Sequence, residues 1–118
     1  MTPMTVTKYP VAIENMLQAS ADPSAGRALV DWVVAAAEQV GITFTPLQLQ
    51  VLTNHLLEMQ GRARSGEQLP PVDPALFAEV SPQALALAEQ VVAHIGHLGP
   101  GEQYVLSIHF EAAQNNLT

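Results

Sequence analysis

The sequence contains no cysteine. Disulfides, thiolate metal centres and cysteine nucleophiles are therefore excluded, and the redox compartment is left undetermined. Aromatic side chains are scarce, at 5% of 118 residues, which leaves little bulk to enclose a large cofactor. Basic residues number four against eleven acidic ones, for a formal net charge of −7. Nucleic-acid backbones and anionic membrane surfaces both select positive charge, so neither is expected as a direct partner. No apolar run approaches the roughly 20 residues that a bilayer span requires. Met1 to Pro10 carries a single basic residue and no apolar core segment, so it does not read as a secretory signal. The resulting expectation is a cytoplasmic protein. Alternating β-branched runs are also nearly absent. Gly41 to Thr45 comes nearest and is too short to found a sheet.

What is present points to a single all-α domain. Hydrophobic residues make up 48% and charged residues 13%, the balance of a chain that buries a core. Glycine and proline divide it into helical stretches. One helix is expected from about Ser24 to Val40, with Asp22 or Ser24 as its N-cap. Leu29, Val33, Ala36 and Val40 share one face, widened by Val30, Val34 and Ala37. Gly41 stops it. Thr45-Pro46 is a capping residue followed by proline at the first helical position, and it opens a helix to about Arg64. The core stripe of that helix is Leu49, Leu52, Leu56, Met59 and Ala63. Asp73 caps a short helix over Pro74 to Glu79. Ser81-Pro82 opens another to about His97, with Leu85, Ala88, Val92 and Ile95 buried, joined by Val91. After the break at Gly99-Pro100-Gly101, a last helix runs from about Glu102 to Asn115. Val11 to Ala19 carries a weaker signal, for either a short helix or an arm. The expected organisation is an N-terminal arm or short helix over residues 1–23 and a helical bundle over 24–116.

The chain has no nucleophile elbow, phosphate loop or dinucleotide fingerprint. Its four histidines, His55, His94, His97 and His109, are the groups with obvious chemistry near neutral pH. His94 and His97 are three apart, a spacing compatible with a shared metal, but no carboxylate motif accompanies them. His97 at its helix end and His94 beside the core are better explained structurally. His55 lies on the edge of its helix's apolar stripe, with Arg62 two turns on along the same side. A guanidinium there favours an anion near the imidazole. His109 falls within a stripe made by Val105, Leu106, Ala112 and Ala113, and Glu102 enters that stripe at the helix N-terminus. Each histidine is also compatible with a half-buried core residue holding one hydrogen-bond partner.

The stretch Leu52-Thr53-Asn54-His55-Leu56, with Arg62 and Gly66 at seven and eleven residues after the histidine, resembles the first histidine motif of the PRD family. These are the regulatory domains of antiterminators and activators controlled by the sugar phosphotransferase system. Gly101 to His109, with the histidine seven residues after Glu102, resembles the second motif. The resemblance extends over about Ser24 to Asn116. Two positions depart from the family pattern: Asn54 and Gly101 each stand where it has aspartate.

The resemblance implies a compact five-helix bundle that pairs as a homodimer. It implies that His55 and His109 accept phosphoryl groups from the phosphocarrier protein or a sugar-transport component. Arg62 and Glu102 would be supporting residues. No cofactor and no metal are implied. The motif pair occurs once, and the 23 residues ahead of it form no basic cluster, so a regulator of this kind is expected to act through another chain. A helical adaptor that kept the fold without phosphotransfer is the alternative that Asn54 and Gly101 motivate. An enzyme or small-ligand binder, with the histidines as acid–base groups in a cleft, is the third.

Overall fold

The computed structural model describes residues 9–115. The expected arm (1–23) and bundle (24–116) run past these limits at residues 1–8 and 116, which lie outside the described residues. Five α-helices follow one another: α1 (Val11–Ala19), α2 (Pro23–Gln39), α3 (Pro46–Ser65), α4 (Pro82–Ile95) and α5 (Glu102–Gln114). Among the described residues there is no strand. The starts of α2, α3 and α4 follow the sequence closely, because each of these pairs a side-chain cap with proline in the first turn. The Asp22 carboxylate accepts from the Ala25 amide at 3.1 Å, and the Ser81 hydroxyl from Ala84 at 3.2 Å. At α3 the cap is reciprocal. The Gln48 amide donates to the Thr45 hydroxyl, the Thr45 amide donates to the Gln48 side chain, and both bonds measure 3.1 Å.

Helix α3 is the centre of the assembly, packing against α1, α2, α4 and α5, while α4 and α5 form the most extensive pair. Leu52, Leu56 and Met59 carry its buried face, as the periodicity predicts. Three expectations are corrected. The short helix at Pro74 to Glu79 is a single 3-10 turn, Pro74–Phe77, with no buried residue to extend it. The fifth helix of the bundle is α1. Its sequence signal is weak because only two side chains, Ile13 and Leu17, reach the core, but both are fully buried. Polar ties also fix it to α2. Arg27 donates to both carboxylate oxygens of Glu14, and the Tyr9 hydroxyl donates to Asp31. The third correction is rotational. In α4 the fully buried set is Ala84, Leu87, Ala88 and Val91, whereas Leu85, Val92 and Ile95 are half-buried. In α5 Phe110 joins Leu106 and Ala113 in the core, and Ala112 is exposed. A helix packed against several neighbours buries an arc wider than one stripe, and the neighbours decide where that arc is centred. For the same reason Val40, at the end of α2, is exposed.

Helix α4 stops at Ile95, so His94 and His97 do not share a helix face. Gly96 has φ +75° and His97 φ +60°, and these turn the chain out of the helix.

If α1 is integral to the fold, Leu17→Ala removes a fully buried side chain from the core. The expected loss is about 3 kcal/mol in urea unfolding, within the range for Leu→Ala in packed cores. A loss below about 1 kcal/mol would mark α1 as peripheral.

Candidate functional site

The candidate residues occupy facing sides of α3 and α5. On α3, His55 and Arg62 each stand three residues after a core position, Leu52 and Met59, so they flank the buried stripe on one side. On α5, Glu102 and His109 are likewise two turns apart. The structure brings all four together. Arg62 Nε donates to Glu102 Oε2 at 2.7 Å, and a terminal guanidinium nitrogen donates to Oε1 at 2.8 Å. The imidazoles of His55 and His109 lie with ring centroids 5.0 Å apart, tilted by 44°. The earlier residue on α3 meets the later residue on α5, and the reverse, so the helices cross this contact antiparallel. Seven residues of helix span about 10 Å, which sets the ion pair and the imidazole pair at two ends of one short ladder.

The ion pair is deeply enclosed, with the Glu102 side chain 0% exposed and that of Arg62 14%. Bidentate geometry satisfies both carboxylate oxygens, the condition under which a buried charge pair is tolerated. The backbone before it is specialised. Gly101 has φ +93°, a conformation that disfavours a side chain, and a Cβ there would lie 2.9 Å from Cγ2 of Val72. Glycine, standing where the PRD pattern has aspartate, suits this conformation and this close approach. The tight turn delivers Glu102 into the first turn of α5, where the helix dipole favours a carboxylate. Asn54, the other departure, is exposed on α3 and donates to Glu58 at 2.8 Å.

Burial pushes the His55 imidazole down to about 4, helped by His109 and the Arg62 guanidinium and opposed by Glu102. Burial lowers His109 as well. Both rings are therefore neutral at pH 7, the state in which a ring nitrogen offers a lone pair. Nε2 of His55 is sealed from solvent without a hydrogen-bond partner. Three large apolar side chains on the same two helices are exposed. Leu47 and Val51 precede His55 by two turns and one turn on α3, Ile108 adjoins His109, and these three side chains are 69%, 49% and 49% exposed.

His94 and His97 do not join this site. His94 stacks on Trp32, with centroids 3.9 Å apart and planes within 5°. Among the described residues no group of three His, Asp or Glu side chains is placed to hold a metal ion, and no helix is long and apolar enough to cross a membrane. Sequence reasoning missed Val72 and the Trp32–His94 stack. Val72 lies in a loop without periodicity, and the stack joins residues more than sixty positions apart. The left-handed turn at Gly101 was legible in principle from the Gly-Pro-Gly cluster.

No family model matches the chain, and no curated protein matches it. Among solved structures, it is similar to a PRD-containing transcription regulator from Lactobacillus casei ATCC 334. The identity is 57%, with 95% of this chain and 100% of that one covered and a TM-score of 0.90.

Two outcomes test the site's physics. Glu102→Ala, which strands Arg62, is expected to cost about 3–5 kcal/mol in denaturant unfolding, whereas the double change Arg62→Met, Glu102→Leu costs much less or stabilises. Equal losses in both would show that the pair is not acting as a pair. The second concerns pH. The folded-state value of His55 lies below the ordinary 6.5, at about 4, so the unfolded chain binds this proton more readily between those limits. Its contribution to stability is full above about 6.5, falls as pH drops, and levels off below about 4. Unfolding free energies of wild type minus His55→Asn, measured across that window, should fall with pH; a flat difference contradicts the burial of the ring.

Proposed function

Because the chain belongs to the PRD family of transcription-regulatory domains, we propose that it is a regulatory module switched by phosphorylation of His55 and His109. The observation that carries this reading is the placement of two neutral imidazoles side by side, two turns from a bidentate arginine–carboxylate pair. A ring nitrogen attacks the phosphorus of a donor phosphohistidine. The donor's P–N bond breaks with its electron pair returning to the donor ring, and a new P–N bond forms on the acceptor. The donor is the phosphocarrier protein or a sugar-transport component of the phosphotransferase system. Nε2 of His55 is enclosed, so transfer to that atom requires the side chains around it to give way.

The charge explains how such a change would be felt. A phosphoryl group brings roughly −1.5 to −2 and several acceptor oxygens. It enters an acidic chain, two turns from a guanidinium already engaged by Glu102. The new anion competes for Arg62 and thereby loosens the contact between α3 and α5. The apolar strip of Leu47, Val51 and Ile108 supports a protein contact at this edge, in which a second copy forms a homodimer or a regulated partner docks. The net charge of −7 supports regulation through another protein rather than by direct nucleic-acid contact of this domain.

The departures at Asn54 and Gly101 favour a second reading, an adaptor that keeps the fold without phosphotransfer. One experiment separates them. The purified chain is incubated with the active phosphocarrier system and a labelled donor, alongside His55→Ala, His109→Ala and the double variant. Acid-labile label in wild type that is reduced in a single variant and absent from the double variant is the expected result. No label with an active donor would leave the adaptor.

A further inference from the structure

A concave feature lies away from the histidine pair. A cleft of about 570 Å³ opens between α2, α3 and the end of α4. That size is within the range of small-molecule sites. Leu29, Ala63 and Ile95 give it an apolar lining, and the small side chain of Ala63 helps leave the space open. Three unusual features converge on it.

The first is a guanidinium without a partner. Arg27 is bound to Glu14 and Arg62 to Glu102, but among the described residues Arg64 has no carboxylate partner, and it lines the cleft. Two positions after Arg62 on a helix is a rotation of about 200°, so Arg64 faces away from the ladder that Arg62 serves. In a chain of net charge −7, an arginine left unpaired beside an apolar cleft is a ready anion contact. The second is the parallel stack of Trp32 and His94, 3.9 Å apart, which presents a flat aromatic wall. The third is His97, a non-glycine residue at φ +60° that also lines the cleft. A left-handed backbone is unfavourable at such a residue, and strained residues cluster at ligand contacts.

We propose that this cleft binds a small organic anion with a flat apolar body, its carboxylate or phosphate held by Arg64 and its ring lying against the Trp32–His94 stack. The apolar lining selects for the body and the guanidinium for the charge, so neither a neutral ring nor a bare ion satisfies the site. The site does not depend on phosphorylation of His55 or His109.

Trp32 is the one tryptophan of the chain, so its indole N–H resonance and its fluorescence report on this cleft directly. The probe is phenyl phosphate, titrated into the intact protein, with benzyl alcohol and inorganic phosphate as the ring alone and the ion alone. The expected result is a saturable shift of the Trp32 signal with phenyl phosphate. Each half-probe should bind at least roughly tenfold more weakly, the scale of one charged hydrogen bond or one buried ring. Arg64→Gln, with thermal unfolding checked against wild type, should weaken phenyl phosphate by a similar factor. His94→Ala should weaken it while leaving inorganic phosphate unchanged. No saturable shift, equal binding by Arg64→Gln, or inorganic phosphate binding as tightly as phenyl phosphate would each overturn the proposal.

Discussion

The contact between Arg62 and Glu102 fixes how α5 lies on α3, and much of the rest depends on that. Glu102 is wholly buried, and an uncompensated buried carboxylate costs several kcal/mol. A slip of α5 along α3 by one turn would separate the carboxylate from its guanidinium and incur that cost. The same slip would also exchange Leu106, Phe110 and Ala113 in the core, so packing and the ion pair act together on the register. The ion pair is thus better understood as a device for register than as a source of net stability. Once it is set, helical geometry alone carries His109 to His55 two turns away.

The surroundings of the pair follow from the same constraint. Glu102 reaches Arg62 from the first turn of α5, so the chain must turn sharply just before it. Gly101 supplies the left-handed conformation, and Val72 packs into the space that a side chain would occupy. The loop after α3, which has no regular structure of its own at Val72, thereby helps hold the start of α5. On the other side of α3, helix α1 is fastened by Ile13 and Leu17 and by the Arg27–Glu14 and Tyr9–Asp31 contacts. The central helix is therefore held by apolar packing from several directions and tied to α5 by one charged contact.

That arrangement suits a regulatory element better than a catalytic one. The two imidazoles are kept neutral by burial, and the charge that would act on them is already engaged nearby. On the proposed reading, negative charge added at the rings would change the balance at the contact between Arg62 and Glu102. The open apolar strip of Leu47, Val51 and Ile108 lies along the same two helices, so a change between α3 and α5 is also a change in that surface.

The sequence by itself determined the helical class, the starts of α2 to α5 and the four residues of the ladder. Caps and first-turn prolines are local interactions, and a seven-residue spacing places two side chains on one helix side wherever that helix packs. It did not determine which arc of α4 and α5 is buried, that Phe110 belongs to the core, or that α1 rather than the Pro74 turn completes the five helices. Those depend on neighbours distant in the chain, and a two-residue anchor such as Ile13 and Leu17 leaves too faint a period to read. The same limit applies at the sites. The spacings on α3 and α5 named His55, Arg62, Glu102 and His109, but only their antiparallel crossing decided that ring meets ring and guanidinium meets carboxylate. The stacking of Trp32 on His94, and the unpaired Arg64 beside it, were decided by tertiary packing alone, because no local rule links residues that far apart in the chain.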